Sequence, residues 1–169
     1  MSTIQRPKMR SHRSDEDRIT VVVDTREQEP YVFDPQCVAV TRRALPAGDY
    51  SIEGREDSVA VERKTLEDFV STVIRSRKRF TRELQRLAGY EAACIVVEAD
   101  LSDILGGRYR SGAHPNAVLG TILSIVVDFD IPVFFCSDRQ AACRFVEGFL
   151  LRFHRKELRR WEEEQKATP

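Results

Sequence analysis

The sequence predicts an α/β fold in which a central mixed β-sheet is flanked by helices. Continuous apolar, β-branched runs at residues 19–24 and 94–97 are typical of buried strands. Between and after these runs, apolar residues recur at helical spacing. A turn-rich connection at residues 54–57 separates two short extended segments, which predicts an antiparallel hairpin inside the sheet.

Local signals predict the other elements. Residues 37–43 and 132–136 are predicted strands, and the glycine-rich residues 106–112 are a predicted flexible loop. A helix is predicted to begin near Thr65, with the apolar residues Leu66, Phe69, Val70, Val73 and Ile74. A second helix is predicted to end near Gly89, with Phe80, Leu84 and Leu87 at helical spacing.

Two capping signals place the last two helices. Asn116 is predicted to cap a helix that reaches about Val127. Ser137 and Gln140 are predicted to form a capping box for a long helix that runs through Phe153 and towards Trp161.

At 169 residues, the chain has the length of one domain. Residues 1–17 carry many charges and few large apolar groups, which predicts a disordered tail. We expect the folded domain at residues 18–156, followed by a helix end and tail at 157–169. Because 27 basic residues balance 27 acidic residues, the net charge favours no class of partner.

The sequence predicts no membrane association, because no apolar run approaches the ~20 residues that a spanning helix needs. The N-terminus also lacks the apolar segment of a secretory signal. Four scattered cysteines, Cys37, Cys94, Cys136 and Cys143, form no C-x-x-C pair. Thiols of this kind are typical of a protein in the reducing cytoplasm.

The predicted hairpin is the most informative segment of the chain. Pairing Glu53 with Ser58 places Asp49 directly opposite Glu62, with Lys64 on the same face. Two carboxylates at that spacing repel each other unless a cation lies between them, and Mg²⁺ or Mn²⁺ suits oxygen ligands. The alternative is an ordinary half-exposed hairpin with one solvated polar face.

These residues also match a known family pattern. Gly48-Asp49, Glu62-Arg63-Lys64 and Asp68 resemble the GD…ERK…D signature of the XPF structure-specific endonucleases, and residues 23–27 are similar to the end of their first strand. His114-Pro115-Asn116-Ala117, Val127-Asp128-Phe129 and Ile131-Pro132 look like later parts of the same nuclease domain, especially in archaeal members such as Hef. The C-terminal helix-hairpin-helix pair of many relatives is not seen.

The resemblance implies a restriction-endonuclease-like core and a metal-dependent DNA endonuclease that acts on flaps or forks in repair or recombination. A protein with this activity would be cytoplasmic, and nucleoid-associated in a prokaryote. One alternative is a non-catalytic DNA-binding or scaffold subunit, since the XPF family contains inactive partners. Another is a nuclease of the same chemistry that acts on RNA or on simple single strands.

The resemblance also implies a catalytic set, which comprises Asp24, Asp49, Glu62, Lys64, Arg26, Arg63 and Asp68. Asp24, Asp49 and Glu62 would hold the metal, and Lys64 would position water or stabilise the transition state. Arg26 and Arg63 would orient carboxylates or hold phosphate oxygens, and Asp68 would anchor Lys64 or Arg63. From local sequence alone, Asp24 could instead cap a turn at the end of a strand. Asp68 could be only a favourable charge in the first turn of a helix.

DNA contacts are predicted at the densest basic cluster, which contains Arg75, Arg77, Lys78, Arg79, Arg82 and Arg86. Arg75, Arg79, Arg82 and Arg86 would share a face if one helix continued through them. Arg108 and Arg110 flank Tyr109 in the glycine-rich loop and could add charge and stacking. A solvated helix face and a plain surface loop are the alternatives.

A homodimer is predicted from two helices that are apolar on more than one face. These are residues 117–127 and the last helix, and the interface is assigned to Ile122, Ile125, Phe149 and Phe153. The alternative is that both helices belong to the core of a monomer.

Overall fold

The computed structural model describes residues 18–167, which form six strands and five helices. The strands are β1 (Ile19–Val23), β2 (Val38–Arg42), β3 (Tyr50–Ile52), β4 (Val59–Thr65), β5 (Ala92–Glu98) and β6 (Val133–Phe135). The helices are α1 (Leu66–Arg75), α2 (Arg77–Leu87), α3 (Leu101–Leu105), α4 (Pro115–Phe129) and α5 (Arg139–Ala167). The tail predicted at residues 1–17 lies outside the described part, and the predicted domain limit at residue 156 falls inside α5.

All six strands form one mixed sheet in the order β2-β1-β3-β4-β5-β6. The β1–β3 and β3–β4 pairs are antiparallel, whereas β1–β2, β4–β5 and β5–β6 are parallel. The predicted hairpin register is confirmed, because Tyr50 pairs with Val61. That register continues to Asp49 opposite Glu62, so the two carboxylates meet where β3 begins.

Both faces of the sheet are covered. On one face, α5 packs on Tyr50, Ile52, Val59, Val61 and other apolar strand residues. On the other face, α1, α2, α3 and α4 enclose Ala60, Ile95 and Val97. The alternative of a half-exposed hairpin with a solvated polar face is therefore not observed. Ser51, Ala60 and Glu62 on its polar side are all buried.

Three predicted details of the helices are corrected. The N-cap of α4 is His114, whose ring nitrogen accepts from the N–H of Asn116, so Asn116 is inside the helix. Before α5, Ser137 has a left-handed φ of 55°, and Asp138 accepts from the N–H of Ala141 instead. The short helix α3 was not predicted, because it has only one buried residue.

The helical conformation is interrupted between α1 and α2. Ser76 has φ −117° and ψ 30°, and its N–H donates to the carbonyl of Thr72. The basic cluster is therefore divided, with Arg75 at the end of α1 and Arg79, Arg82 and Arg86 on α2. The single helical stripe considered from the sequence does not form.

None of the four cysteines forms a disulfide. Among residues 18–167, no helix is both long and apolar enough to cross a membrane.

Candidate active site

The hairpin and a glycine together position Asp49. The N–H of Asp49 donates to the carbonyl of Val61 at 2.8 Å, which extends the β3–β4 ladder by one residue. Gly48 has φ +75°, and a Cβ there would lie 3.0 Å from the oxygen of Val61 and 3.1 Å from the Cβ of Ala60. Only glycine fits this conformation and this space without displacing the strand.

Glu62 and Lys64 form a close ion pair on the same face of β4. The Nζ of Lys64 lies 2.6 Å from Oε1 of Glu62, whose residue is only 3% exposed. Burial and the nearby charge of Asp49 raise the pKa of Glu62 well above its ordinary value. Burial opposes protonation of Lys64, but Glu62 overcomes this and raises the pKa of Lys64, which remains an ammonium.

Asp49 is the second carboxylate of the pair. Its Oδ2 accepts from the N–H of Arg63 at 2.8 Å. Burial, with the charges of Glu27 and Glu83, outweighs this bond and raises the pKa of Asp49 to about 6. Two neighbouring carboxylates with raised pKa values form a site that a cation would stabilise.

A cavity of about 220 Å³ lies between these residues and the helices, and we call it the acidic pocket. From the sheet side it is lined by Gly48, Asp49, Glu62, Lys64 and Arg26, and from the α1–α2 side by Thr72, Ser76, Arg79, Phe80 and Glu83. A second cavity of about 310 Å³ shares residues with it, and we call it the basic cleft. The basic cleft is lined by Arg26, Pro46, Ala47, Arg79, Arg82, Glu83 and Arg86.

Asp24 lines neither cavity. Its buried carboxylate accepts several hydrogen bonds at the end of β1. It accepts from the Nε of Arg26 at 2.7 Å, from the N–H of Arg26 at 2.8 Å and from the N–H of Leu45 at 2.7 Å. Burial raises its pKa, but these bonds outweigh burial and the pKa of Asp24 is lowered. The observed geometry is that of the turn-capping alternative, with Arg26 held in place beside the cavities.

Arg63 and Asp68 also have local partners. The Nε of Arg63 donates to Glu98 at 2.6 Å, and its Nη1 lies 3.3 Å from Glu27. The Oγ1 of Thr65 donates to Asp68 at 2.8 Å and accepts from its N–H, so Asp68 contributes to the N-cap of α1. Asp68 therefore anchors neither Lys64 nor Arg63.

The side chains of the acidic pocket offer only part of the ligand set of a divalent cation. Within the described residues, no three Asp, Glu, His or Cys side chains are arranged to hold a metal ion. The predicted triad of Asp24, Asp49 and Glu62 is thus not assembled, because Arg26 occupies Asp24. Magnesium is often bound by only one or two carboxylates, with waters and substrate phosphates as the other ligands. Asp49 and Glu62 fit that mode of binding.

The predicted DNA-binding residues fall into two groups. Arg79 and Arg82, with Arg86, border the basic cleft and form no ion pair among the described residues. Arg75, Arg77 and Lys78 are exposed around the α1–α2 junction. In the loop, Arg108 pairs with Asp103 at 2.8 Å, and the hydroxyl of Tyr109 donates to Ala113 while its ring packs on the core. Tyr109 is thus not available for stacking, whereas Arg110 is exposed.

Comparison with known proteins identifies the family. The model of the ERCC4 domain matches residues 23–149. The chain belongs to the ERCC4 domain family. A protein of Methanocaldococcus jannaschii named as a candidate ATP-dependent RNA helicase is 35% identical over 122 residues, which are 72% of this chain and 14% of that protein. The 3′-flap repair endonuclease Xpf of Saccharolobus solfataricus is 30% identical over 139 residues, which are 80% of this chain and 56% of that protein.

The ERCC4 domain of this chain has the same fold as solved structures of an XPF protein. XPF from Aeropyrum pernix superimposes with a TM-score of 0.63 at 27% identity, over 84% of this chain and 69% of that one. The same protein in complex with DNA gives 0.62 at 29% identity, over 83% and 66%. The predicted restriction-endonuclease-like core with a mixed sheet is confirmed. The chain spans no more than 56% of the length of either of these two curated relatives.

Sequence reasoning missed three acidic residues of this ERCC4 domain. Glu83 lines both cavities, and Glu27 and Glu98 hold Arg63. Helical spacing could have indicated Glu83, because it is three residues from the buried Phe80 on the same helix. The contacts of Glu27 and Glu98 depend on pairing between distant strands, which no local signal specifies.

Proposed function

We propose that the protein is a metal-dependent endonuclease that hydrolyses phosphodiester bonds in branched DNA, such as flaps and forks. The observation that carries this proposal is the convergence of Asp49, Glu62 and Lys64 on one pocket that opens beside the basic cleft. The named activity of the Saccharolobus relative supports the same substrate class.

Each residue of the acidic pocket has a role in this proposal. Mg²⁺ or Mn²⁺ held by Asp49 and Glu62 would activate the attacking water and shield the charge that develops on phosphate. Lys64 carries a fixed positive charge 2.6 Å from Glu62. It can therefore stabilise the negative charge that develops on the phosphate without first gaining a proton. Its raised pKa argues against a role for Lys64 as a general base.

The phosphate backbone would approach along the basic cleft. Arg79, Arg82 and Arg86 supply positive charge at its walls, and Arg26 lies at its junction with the acidic pocket. Arg75, Arg77, Lys78 and Arg110 would add weaker contacts to the strands around it. Such contacts act through charge, which is consistent with recognition of DNA shape rather than base sequence. We propose that the protein acts on chromosomal DNA in the cytoplasm or at a nucleoid.

A cleavage assay tests this function. Labelled 3′-flap, fork, duplex and single-stranded DNA are incubated with the protein and Mg²⁺, Mn²⁺ or EDTA. We expect metal-dependent cleavage of the branched substrates. A scaffold subunit would bind the flap without cutting it in either metal, and preferential cleavage of RNA or single strands would reassign the substrate.

We also propose that the chain forms a homodimer, in which the exposed apolar residues of α4 join Phe149 of the interface expected from the sequence. Ile122, Ile125 and Phe153 are buried within the single chain, so more exposed apolar residues are the better candidates for contact with a second copy. The exposed apolar residues of α4 are Leu123 (54%), Val126 (41%) and Val127 (71%), and Phe149 on α5 is only half-buried. Light scattering at micromolar concentration tests the proposal, since a mass near 19.4 kDa would exclude the dimer.

A further inference from the structure

A third carboxylate, that of Glu83 on α2, lies beside the acidic pocket. Glu83 is half-buried and, among residues 18–167, accepts no side-chain hydrogen bond and forms no ion pair. Arg79, Arg82 and Arg86 are on the same helix and form no ion pair within that range either. Instead, the negative charge of Glu83 acts on the pocket, where it adds to the repulsion at both Asp49 and Glu62.

This arrangement is unfavourable when no cation is bound. A half-buried carboxylate that faces two others costs free energy. Lys64, Arg26 and Arg79 also line the pocket, but they offset this cost only in part, because the pKa values of Asp49 and Glu62 remain raised. A position that breaks the electrostatic rules in this way is characteristic of functional sites. The ligand that would remove the cost is a divalent cation in the acidic pocket.

We propose that Glu83 is a positioning residue for the divalent cation held by Asp49 and Glu62, and that it acts through the water shell of the ion. The inference rests on the proposed function, since it assumes the cation site. Direct binding by all three carboxylates does not agree with their present spacing. Magnesium retains several of its waters in protein sites, and a carboxylate across the pocket can accept their hydrogen bonds.

The location of Glu83 gives this role a structural consequence. Asp49 and Glu62 are on the sheet, whereas Glu83 is on the helix that also carries the walls of the basic cleft. A cation held from both sides would fix α2 against β3 and β4. Metal binding would thereby also fix Arg79 and Arg82, so that phosphate contacts and the reacting site keep one geometry.

Calorimetry with Mn²⁺, without DNA, tests this role by a readout other than activity. Loss of an outer partner of a metal site commonly lowers affinity by about 10–100-fold. We expect Glu83→Gln to weaken Mn²⁺ binding at least about tenfold. In the absence of metal, the same variant should melt slightly above the wild type, because one repulsive charge is removed. Glu162→Gln, exposed on α5 outside the pocket, is the matched control.

A second variant separates a positioned contact from a general effect of charge. Glu83→Asp keeps the charge but shortens the side chain by one methylene, so it should also lose most of the Mn²⁺ affinity. Wild-type affinity in Glu83→Gln, or in Glu83→Asp, would overturn the inference. If the wild-type protein binds no Mn²⁺ at all, the cation site of the proposed function is wrong, and the two failures are thus distinguishable.

Discussion

Replacement of Gly48 by alanine should damage both stability and the acidic pocket. Two physical terms contribute to the loss. A residue other than glycine in the left-handed region costs about 1–2 kcal/mol, and Gly48 has φ +75°. In addition, the new Cβ would lie 3.0 Å from the carbonyl oxygen of Val61, and extra atoms in a packed site cost roughly 1–3 kcal/mol.

Gly54 is a matched control for the first term. It has φ +77°, but a Cβ there would meet no atom within 4 Å. The free energy of unfolding of Gly48→Ala should therefore fall below that of Gly54→Ala by roughly 1–3 kcal/mol. For a protein of this size, that difference corresponds to a Tm lower by about 2–12 °C.

Thermal and urea unfolding at fixed protein concentration measure this difference. The carbonyl of Val61 also accepts from the N–H of Asp49, so relief of the contact must move Asp49. Gly48→Ala should consequently lose cleavage and Mn²⁺ affinity, whereas Gly54→Ala retains both. Equal stability and equal Mn²⁺ affinity in the two variants would refute the argument that Gly48 positions the carboxylate.

Four further outcomes test the site and the fold. Lys64→Ala should leave the fold and DNA affinity nearly unchanged and lower cleavage by roughly 10²–10³-fold, and near wild-type cleavage would remove the lysine from the mechanism. Asp49→Asn and Glu62→Gln should each weaken Mn²⁺ binding in calorimetry and abolish cleavage with Mg²⁺; unchanged affinity in both variants would contradict the cation site. Leu123→Glu should convert a dimer to monomers in light scattering without loss of helix content, since this side chain is exposed in the single chain. Burial raises the pKa of Glu98, but the bonds from its arginine partner outweigh this and lower it, so its stabilisation is present above the unfolded-state pKa of 4.5 and lost as pH falls below that value. Glu98→Gln should therefore melt below the wild type at pH 7, with a difference that shrinks as the pH falls below 4.5; a constant difference would argue against the ion pair.

The parts of the fold that local sequence specifies were predicted well. The hairpin register follows from side-chain alternation, which also predicts that Asp49 lies opposite Glu62. Two kinds of feature could not be predicted from the sequence. The family pattern does not reveal that Arg26 donates to the carboxylate of Asp24, so the role of Asp24 as a metal ligand stays a prediction. The burial of Ile122 within the single chain was not predicted, because apolar periodicity cannot show which face of a helix the rest of the chain covers.

Strand alternation explains why neighbouring residues of β4 have different roles. Glu62 and Lys64 face α1 and α2 and line the acidic pocket. Arg63 points to the opposite side, where its guanidinium lies 5.5 Å from the ring centre of Tyr31 and binds Glu98. Its backbone N–H nevertheless donates to Asp49 on the reactive side.

These contacts favour a role for Arg63 as an anchor for the site over a role in binding phosphate. Its ion pairs hold the end of β4 against β5 and the loop after β1, and that end supplies the N–H that orients Asp49. Substitution of Glu98 would then act on the reaction only through Arg63 and the strand. A fall in Mn²⁺ affinity that accompanies the loss of stability would connect the two faces of the sheet, because Glu98 lines neither the acidic pocket nor the basic cleft.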